Sequence, residues 1–238
     1  MEREPLLQIN EVTRRFGDVC VLNRLSMAVQ RGEIFGLLGL NGAGKTTLFK
    51  CILKLIETSE GAILYDNKPL DVPIIHEKIG YLPEFYLPPG ELKAREYLNL
   101  LGMAVSGPKP DVDALLQKTD LDPHKLIGEY SRGMIQRLGL AIALLKSPEF
   151  IILDEPTLGL DPLVRVRLLD WLKELNSQGK TILLSSHDFA QVEKVCQRIA
   201  VLHNHQLRYI GPLTDFLEQH KVDSLEDAFL KEIGDIHA

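Results

Sequence analysis

Apolar and polar positions along the chain change rhythm several times. Leu6 to Val29 reads as strand, Ile34–Leu38 is a short apolar run closed by Gly39, and Lys45 to Ile56 takes on helical spacing. Gly61 to Asp66 and Ile79 to Leu82 read as further strands, the second ended by Pro83. Beyond Glu84 the texture becomes helical, with segments near Ala94 to Met103 and Val112 to Thr119, broken by Gly107, Pro108 and Pro110. Phe150 to Asp154 then supplies a continuous apolar run, the pattern of a strand covered on both faces. A helix over Pro162 to Gln178, a strand at Thr181 to Ser185 and a helix at Asp188 to Cys196 follow. Strands at Ile199 to Leu202 and Gln206 to Ile210 and short helices at Leu213 to His220 and Leu225 to Ile233 complete the pattern. Strands alternating with helices predict an α/β fold on a mostly parallel sheet, with an antiparallel N-terminal part. Residues 84–145 form a helical insertion between two core segments, 1–83 and 146–238, and residues 212–238 carry the terminal helices. No internal repeat is visible.

Composition narrows the function classes. The 238 residues are 45% hydrophobic and 25% charged, with a net charge of −6, which suits a globular protein with a true core. A mildly acidic chain without a Lys/Arg stripe lacks the electrostatic basis for tight nucleic-acid binding, so no nucleic-acid partner is expected. No apolar run approaches the roughly 20 residues of a membrane-spanning helix, and the N-terminal MEREPLLQIN has no apolar core of a secretory signal. Cys20, Cys51 and Cys196 are odd in number, widely spaced and without metal-ligand spacing, as expected of buried thiols in a cytoplasmic protein.

The chemistry sits in two places. Gly39, Leu40, Asn41, Gly42, Ala43, Gly44, Lys45, Thr46 and Thr47 match G-x-x-x-x-G-K-[ST] between an apolar strand and a helix. Glycines let successive backbone N–H groups face an anion, and the helix N-terminus adds its positive end. Lys45 is expected to reach the β- and γ-phosphates of a nucleotide, and the Thr46 hydroxyl to ligate Mg²⁺. The run Phe150 to Asp154 delivers a carboxylate to the C-terminal end of a strand, where open α/β sheets bind ligands. Asp154 is expected to hold Mg²⁺ through water, and Glu155 to orient the water that attacks the γ-phosphate.

With these residues in place, Tyr130-Ser131-Arg132-Gly133-Met134-Ile135-Gln136-Arg137 resembles the signature segment of ABC transporter nucleotide-binding subunits, and the resemblance extends over essentially the whole chain. Ser131 is also a plausible helix N-cap, and Ile135, Leu138, Ile142 and Leu145 make an apolar stripe. The resemblance implies a P-loop ATPase that closes as a head-to-tail dimer around two ATP, with Ser131, Gly133 and Met134 facing nucleotide on the second subunit. It implies further that Asp161, in Pro156-Thr-Leu-Gly-Leu-Asp161, contacts the partner's cradle, and that His187, after Ser185-Ser186, bonds the γ-phosphate and Glu155. His187 read by itself could equally begin the next helix. Phe16, in Arg14-Arg-Phe-Gly17, resembles the aromatic residue that stacks on adenine, although a lone Phe after a strand is more often core.

Glu84, in Tyr81-Leu-Pro-Glu84, occupies the place of a metal-contacting glutamine; it keeps an acceptor oxygen and adds a charge near Mg²⁺. Together with the Arg132 and Met134 variants and the tail Asp223 to Leu230, it resembles the ABC-2 exporter branch, which handles drugs, polysaccharides, copper-maturation or related cargo. The implied partners are integral membrane permease subunits and a second nucleotide-binding subunit, with the chain peripheral on the cytoplasmic face of the membrane. A soluble ATP-gated clamp is the rival, but the coiled-coil arms, zinc modules or paired nucleotide domains usual in such clamps are missing. A P-loop kinase or GTPase is disfavoured by the signature segment and by the lack of an Asn-Lys-x-Asp element.

Overall fold

The computed structural model describes residues 4–105 and 109–234. The start of the N-terminal segment, Met1 to Arg3, the breakers Gly107 and Pro108, and the last residues of the C-terminal segment lie outside them. The stretch read as one strand-like region is two long strands, β1 (Pro5–Phe16) and β2 (Val19–Gln30), turned back at Gly17, whose φ of 58° is left-handed. They pair antiparallel, and β1 also pairs with β4 (Glu60–Tyr65), which carries the short β5 (Lys68–Pro69), giving the order β2-β1-β4-β5. The β4–β5 hairpin turns on Asp66 and Asn67, both at positive φ, as the right-handed twist of the strands prefers.

The second sheet holds β3 (Ile34–Leu38), β6 (Ile79–Leu82), β7 (Phe150–Asp154), β8 (Thr181–Ser186), β9 (Arg198–His203) and β10 (Gln206–Pro212) in the order β10-β9-β3-β8-β7-β6. All neighbours run parallel except β10 on β9. Strands β3, β7 and β8 are buried at every position, which is why their central residues form continuous apolar runs rather than alternations, with polar residues only at the ends of β7 and β8.

Helix α1 (Lys45–Ile52) ends four residues earlier than its periodicity predicts. Helix α2 (Val72–Lys78) was not predicted: it spans seven residues, with Asp71 accepting from the Ile74 N–H as N-cap and Pro73 in its first turn. Helices α3 (Ala94–Gly102), α4 (Val112–Lys118) and α5 (Arg132–Leu144) fall between β6 and β7, with a 3₁₀ turn at Ile127–Glu129 between α4 and α5. Helices α6 (Pro162–Ser177), α7 (Phe189–Val195), α8 (Leu213–His220) and α9 (Leu225–Ile233) follow.

Three apolar clusters result. One joins the antiparallel sheet to one face of the parallel sheet, the second covers the other face with α6 to α9, and the third lies among α3, α4 and α5. Helix α5 belongs to two of them. Its predicted stripe faces the third cluster through buried Leu138 and Leu145, while Leu140, Ala143 and Leu144 face the second. Two glycines seat α5 on β6: a Cβ on Gly80 would come within 2.1 Å of the Ala143 carbonyl oxygen, and one on Gly139 within 2.6 Å of Leu82. Cys51 and Cys196 are buried thiols as expected, whereas Cys20 is only half-buried near the start of β2. Among the described residues, no helix is long and apolar enough to cross a membrane.

Candidate functional site

The β3–α1 connection and the C-terminal ends of β7 and β8 meet around one cavity of about 330 Å³. Its walls include Leu40 to Thr47, Glu84, Asp154, Glu155 and His187, so residues remote in sequence converge there as expected. Gly44 allows the tight loop: its φ is 113°, and a Cβ would sit 2.9 Å from the Val21 carbonyl oxygen. Gly39 is bound as closely, since a Cβ there would approach the Leu202 carbonyl oxygen to 2.6 Å. These contacts press the loop against β2 and β9, and α1 starts directly after it with its unpaired N–H groups and positive end towards the cavity.

Lys45 is buried, donating from Nζ to the Gly39 carbonyl at 2.6 Å and standing 3.8 Å from Glu155 Oε1. Burial lowers its pKa, opposed by the negative charges of Glu155, Asp154 and Glu84. Thr46 Oγ1 donates to Asp154 Oδ2 at 2.7 Å, and Ser185 Oγ donates to Asp154 Oδ1 at 2.6 Å. Asp154 is fully buried at the end of β7, level with Ser185 in the β7–β8 register.

Glu155 is 5% exposed. His187 Nδ1 lies 2.8 Å from its Oε2, so the imidazole and the carboxylate predicted to work together do meet. The backbone of Glu155 takes φ of 50°, and among the described non-glycine residues with positive φ it alone is buried. Such a conformation costs about 1 to 3 kcal/mol and persists only where the surroundings impose it.

Glu84 also faces this cavity, half-buried. Its pKa is raised, first by burial and then by Asp154 and Glu155, with Lys45 and His187 pulling the other way. The donor set of Thr46 hydroxyl, Asp154 and Glu84 is all oxygen, the chemistry that suits a hard cation such as Mg²⁺. Among the described residues no group of three or more His, Cys, Asp or Glu is arranged to hold a metal alone.

The signature residues lie elsewhere. Ser131, Gly133 and Asp161 line a second cavity of about 260 Å³, together with Arg132, Arg137 and Gly159, and it shares no lining residue with the first. Ser131 caps α5 through the Met134 N–H at 3.3 Å, and Asp161 caps α6 through the N–H groups of Leu163 and Val164 at 3.1 Å each. The Met134 side chain packs on the third apolar cluster rather than lining the cavity. Phe16 is not core: it is 47% exposed at the β1–β2 turn, with the Arg14 guanidinium 4.3 Å from its ring centre. It does not line the loop cavity, although Val21 of the adjoining strand does.

Two residues that hold the cavity's carboxylates from behind, without lining it, escaped sequence reasoning. Ser185 bonds both Asp154 and the Glu155 N–H, and Gln136, inside the signature segment, donates from Nε2 to the Glu155 carbonyl at 3.3 Å. Ser185 carried a signal, a hydroxyl directly after the buried aliphatic run Ile182 to Leu184; Gln136 carried one only as a polar residue where α5 turns inward.

The ABC transporter family profile matches residues 22–158, more than half of the chain. The chain belongs to the ABC transporter family. An uncharacterized ABC transporter ATP-binding protein of Synechocystis is 43% identical over 82% of the chain and 58% of its own length. The Nod factor export ATP-binding protein I of Burkholderia lata is 38% identical over 82% of the chain and 67% of its own length. The bacitracin transport ATP-binding protein of Enterococcus faecalis is 34% identical over 87% and 69%. The chain thus spans less than two thirds of the length of some of these relatives, 58% and 62% in two cyanobacterial ones. A solved ATP-binding subunit of an ABC transporter superposes with a TM-score of 0.86 at 33% identity, over 95% of the chain and 99% of that structure. A dimeric cassette in a post-hydrolysis state with ADP and Pi superposes at 0.79 and 25% identity, over 87% and 98%. The fold is therefore the ABC cassette, a P-loop α/β core with an added antiparallel sheet.

Proposed function

We propose that this ABC chain hydrolyses ATP to ADP and phosphate as one half of a dimer, and that the cycle drives separate membrane-embedded subunits. The observation that carries the reading is the split between the two cavities. The anion loop, Asp154, Glu155 and His187 share one, whereas Ser131, Gly133 and Asp161 open on another, so a nucleotide touching both sets needs two copies placed head to tail.

In this reading the backbone of Gly39 to Thr47 cradles the phosphates, Lys45 neutralises the β- and γ-oxygens and Phe16 stacks on adenine. Bound Mg²⁺ would neutralise phosphate charge, held by Thr46 and Asp154 with Glu84 near it. Glu155 accepts a hydrogen bond from the attacking water, oriented by His187, and the partner's copies of Ser131, Gly133, Met134 and Asp161 close the site. Positioning and electrostatics then carry the catalysis, since phosphoryl transfer asks little covalent chemistry of the protein. We place the chain on the cytoplasmic face of the membrane through its partners. Export is favoured by the relatives named for Nod factor export and by the signature and Glu84 variants. The 84–145 segment is read as the lobe that carries the signature, on the strength of its own apolar cluster.

The test is phosphate release by the purified chain with and without Mg²⁺, combined with copurification from native membranes. Mg²⁺-dependent release together with a copurifying integral membrane protein supports the reading; release without any membrane partner favours the soluble clamp.

A further inference from the structure

We propose that Gln136 and Ser185 are positioning residues that jointly hold the Glu155 backbone, tying the catalytic base of one subunit to its own signature helix. The proposal rests on the assignment of Glu155 as base. Three observations carry it.

Glu155 is the single buried non-glycine residue at positive φ among those described, so its backbone is held where an L-residue does not settle unaided. Its peptide groups are gripped from two elements. Ser185 Oγ on β8 accepts from the Glu155 N–H at 3.0 Å, and Gln136 Nε2 on α5 donates to the Glu155 carbonyl at 3.3 Å. Both side chains are buried, so neither bond competes with water.

The geometry also gives the pair a function beyond support. Ser185 spends its own proton on Asp154 Oδ1 at 2.6 Å, which fixes which way its lone pairs face and links the Asp154 carboxylate to the Glu155 N–H through one hydroxyl. Gln136 sits one turn inside α5, whose N-cap is Ser131, the residue assigned to the nucleotide of the other subunit. A shift of α5 when Ser131 engages that nucleotide would move the donor on the Glu155 carbonyl. The base of a site is thereby made responsive to whether its own signature helix is occupied. Leu158 also donates to the Glu155 carbonyl at 3.1 Å, so loss of Gln136 leaves that oxygen satisfied and the turn closed. The Gln136 contact is therefore expected to act on placement more than on folding.

The experiment compares Gln136→Met, Ser185→Ala, Ser185→Thr and the Gln136→Met/Ser185→Ala double variant with wild type and Glu155→Gln. It measures kcat and KM for ATP, Kd for ATP by fluorescence, and folding by circular dichroism. A misplaced base should lower kcat by about 10- to 100-fold in each single variant, with KM and Kd within about twofold of wild type. Because both contacts fix the backbone of one residue, on either side of its Cα, the double variant should fall less than the product of the singles. Ser185→Thr, which keeps the hydroxyl, should recover most of the rate. If Ser185→Ala does not fold, Gln136→Met and Ser185→Thr still decide. Wild-type kcat in Gln136→Met while Glu155→Gln is inactive overturns the positioning role and leaves the base assignment standing. Wild-type turnover in Glu155→Gln overturns both.

Discussion

The loop cavity and the signature cavity differ in how far the chain completes them. At the first, Lys45, Asp154 and Glu155 are buried and each has partners inside the chain. At the second, Ser131, Arg132, Gly159 and Asp161 are exposed, and the capping bonds of Ser131 and Asp161 only finish their own helices. A preorganised half holds charge in fixed places without water, while an open half presents N–H groups and a helix end to something outside. The difference teaches that the two cavities are finished differently. The first draws its carboxylates from buried strand ends and its lysine and hydroxyl from the start of α1, so its charges are paired within the chain, whereas the second is made of exposed helix starts, which the proposed function gives to a second subunit.

The largest expected effect breaks the closed half. Glu155→Gln should lower turnover by about 100-fold or more while ATP binding persists. The trapped complex should run as a dimer in size-exclusion chromatography with ATP and as a monomer without it. The open half is sharpened by Ser131→Asp. Asp caps a helix as well as Ser, so α5 should keep its stability, yet a carboxylate facing the partner's γ-phosphate should weaken ATP-driven dimerisation on the order of 100-fold. Unchanged ATP-driven dimerisation at unchanged thermal stability would make Ser131 a cap only. Next in size is Phe16→Ala. Stacking on a base is worth about 1 to 3 kcal/mol, so KM for ATP should rise about fivefold or more with kcat within twofold. Since Phe16 is exposed, the change carries no core penalty, and an unchanged KM would leave its ring to the Arg14 contact.

The same contrast explains what could be read in the sequence. The buried strands were legible because burial on both faces leaves unbroken apolar runs, and the loop because its glycines, lysine and hydroxyl have few other uses together. Helix α2 was missed because seven residues give the helical period too little length, although Asp71 and Pro73 marked its start. Gln136 and Ser185 were missed because their roles lie in contacts to a backbone 19 and 30 residues away, which no local pattern records. The exposure of Phe16 depended on where the β1–β2 turn fell, and the strand-like stretch from Leu6 to Val29 did not show that turn as a boundary.

Glu84 stands where the two halves meet, and the smallest predicted effects belong to it. It faces Asp154 and Glu155 on one side, while the next residue, Phe85, is 72% exposed with the Arg132 guanidinium 6.0 Å from its ring centre, so a movement at Glu84 has a direct route to the signature segment. Burial and the two neighbouring carboxylates raise its pKa, so the folded state binds its proton more tightly than the unfolded chain does. A raised acid contributes nothing adverse below its unfolded pKa, and its charge costs stability as pH rises through the folded value. Glu84→Gln should therefore melt slightly higher than wild type at neutral pH, with the gain shrinking towards acid pH, and should keep nearly full ATPase activity because an acceptor oxygen remains. Glu84→Ala should share the stability gain but lose more of the activity stimulated by a reconstituted membrane partner than of the basal activity. Equal stimulation of wild type and Glu84→Ala would confine Glu84 to the electrostatics of the cradle. A melting gain that did not shrink in acid would show that its charge is not what the two neighbouring carboxylates oppose.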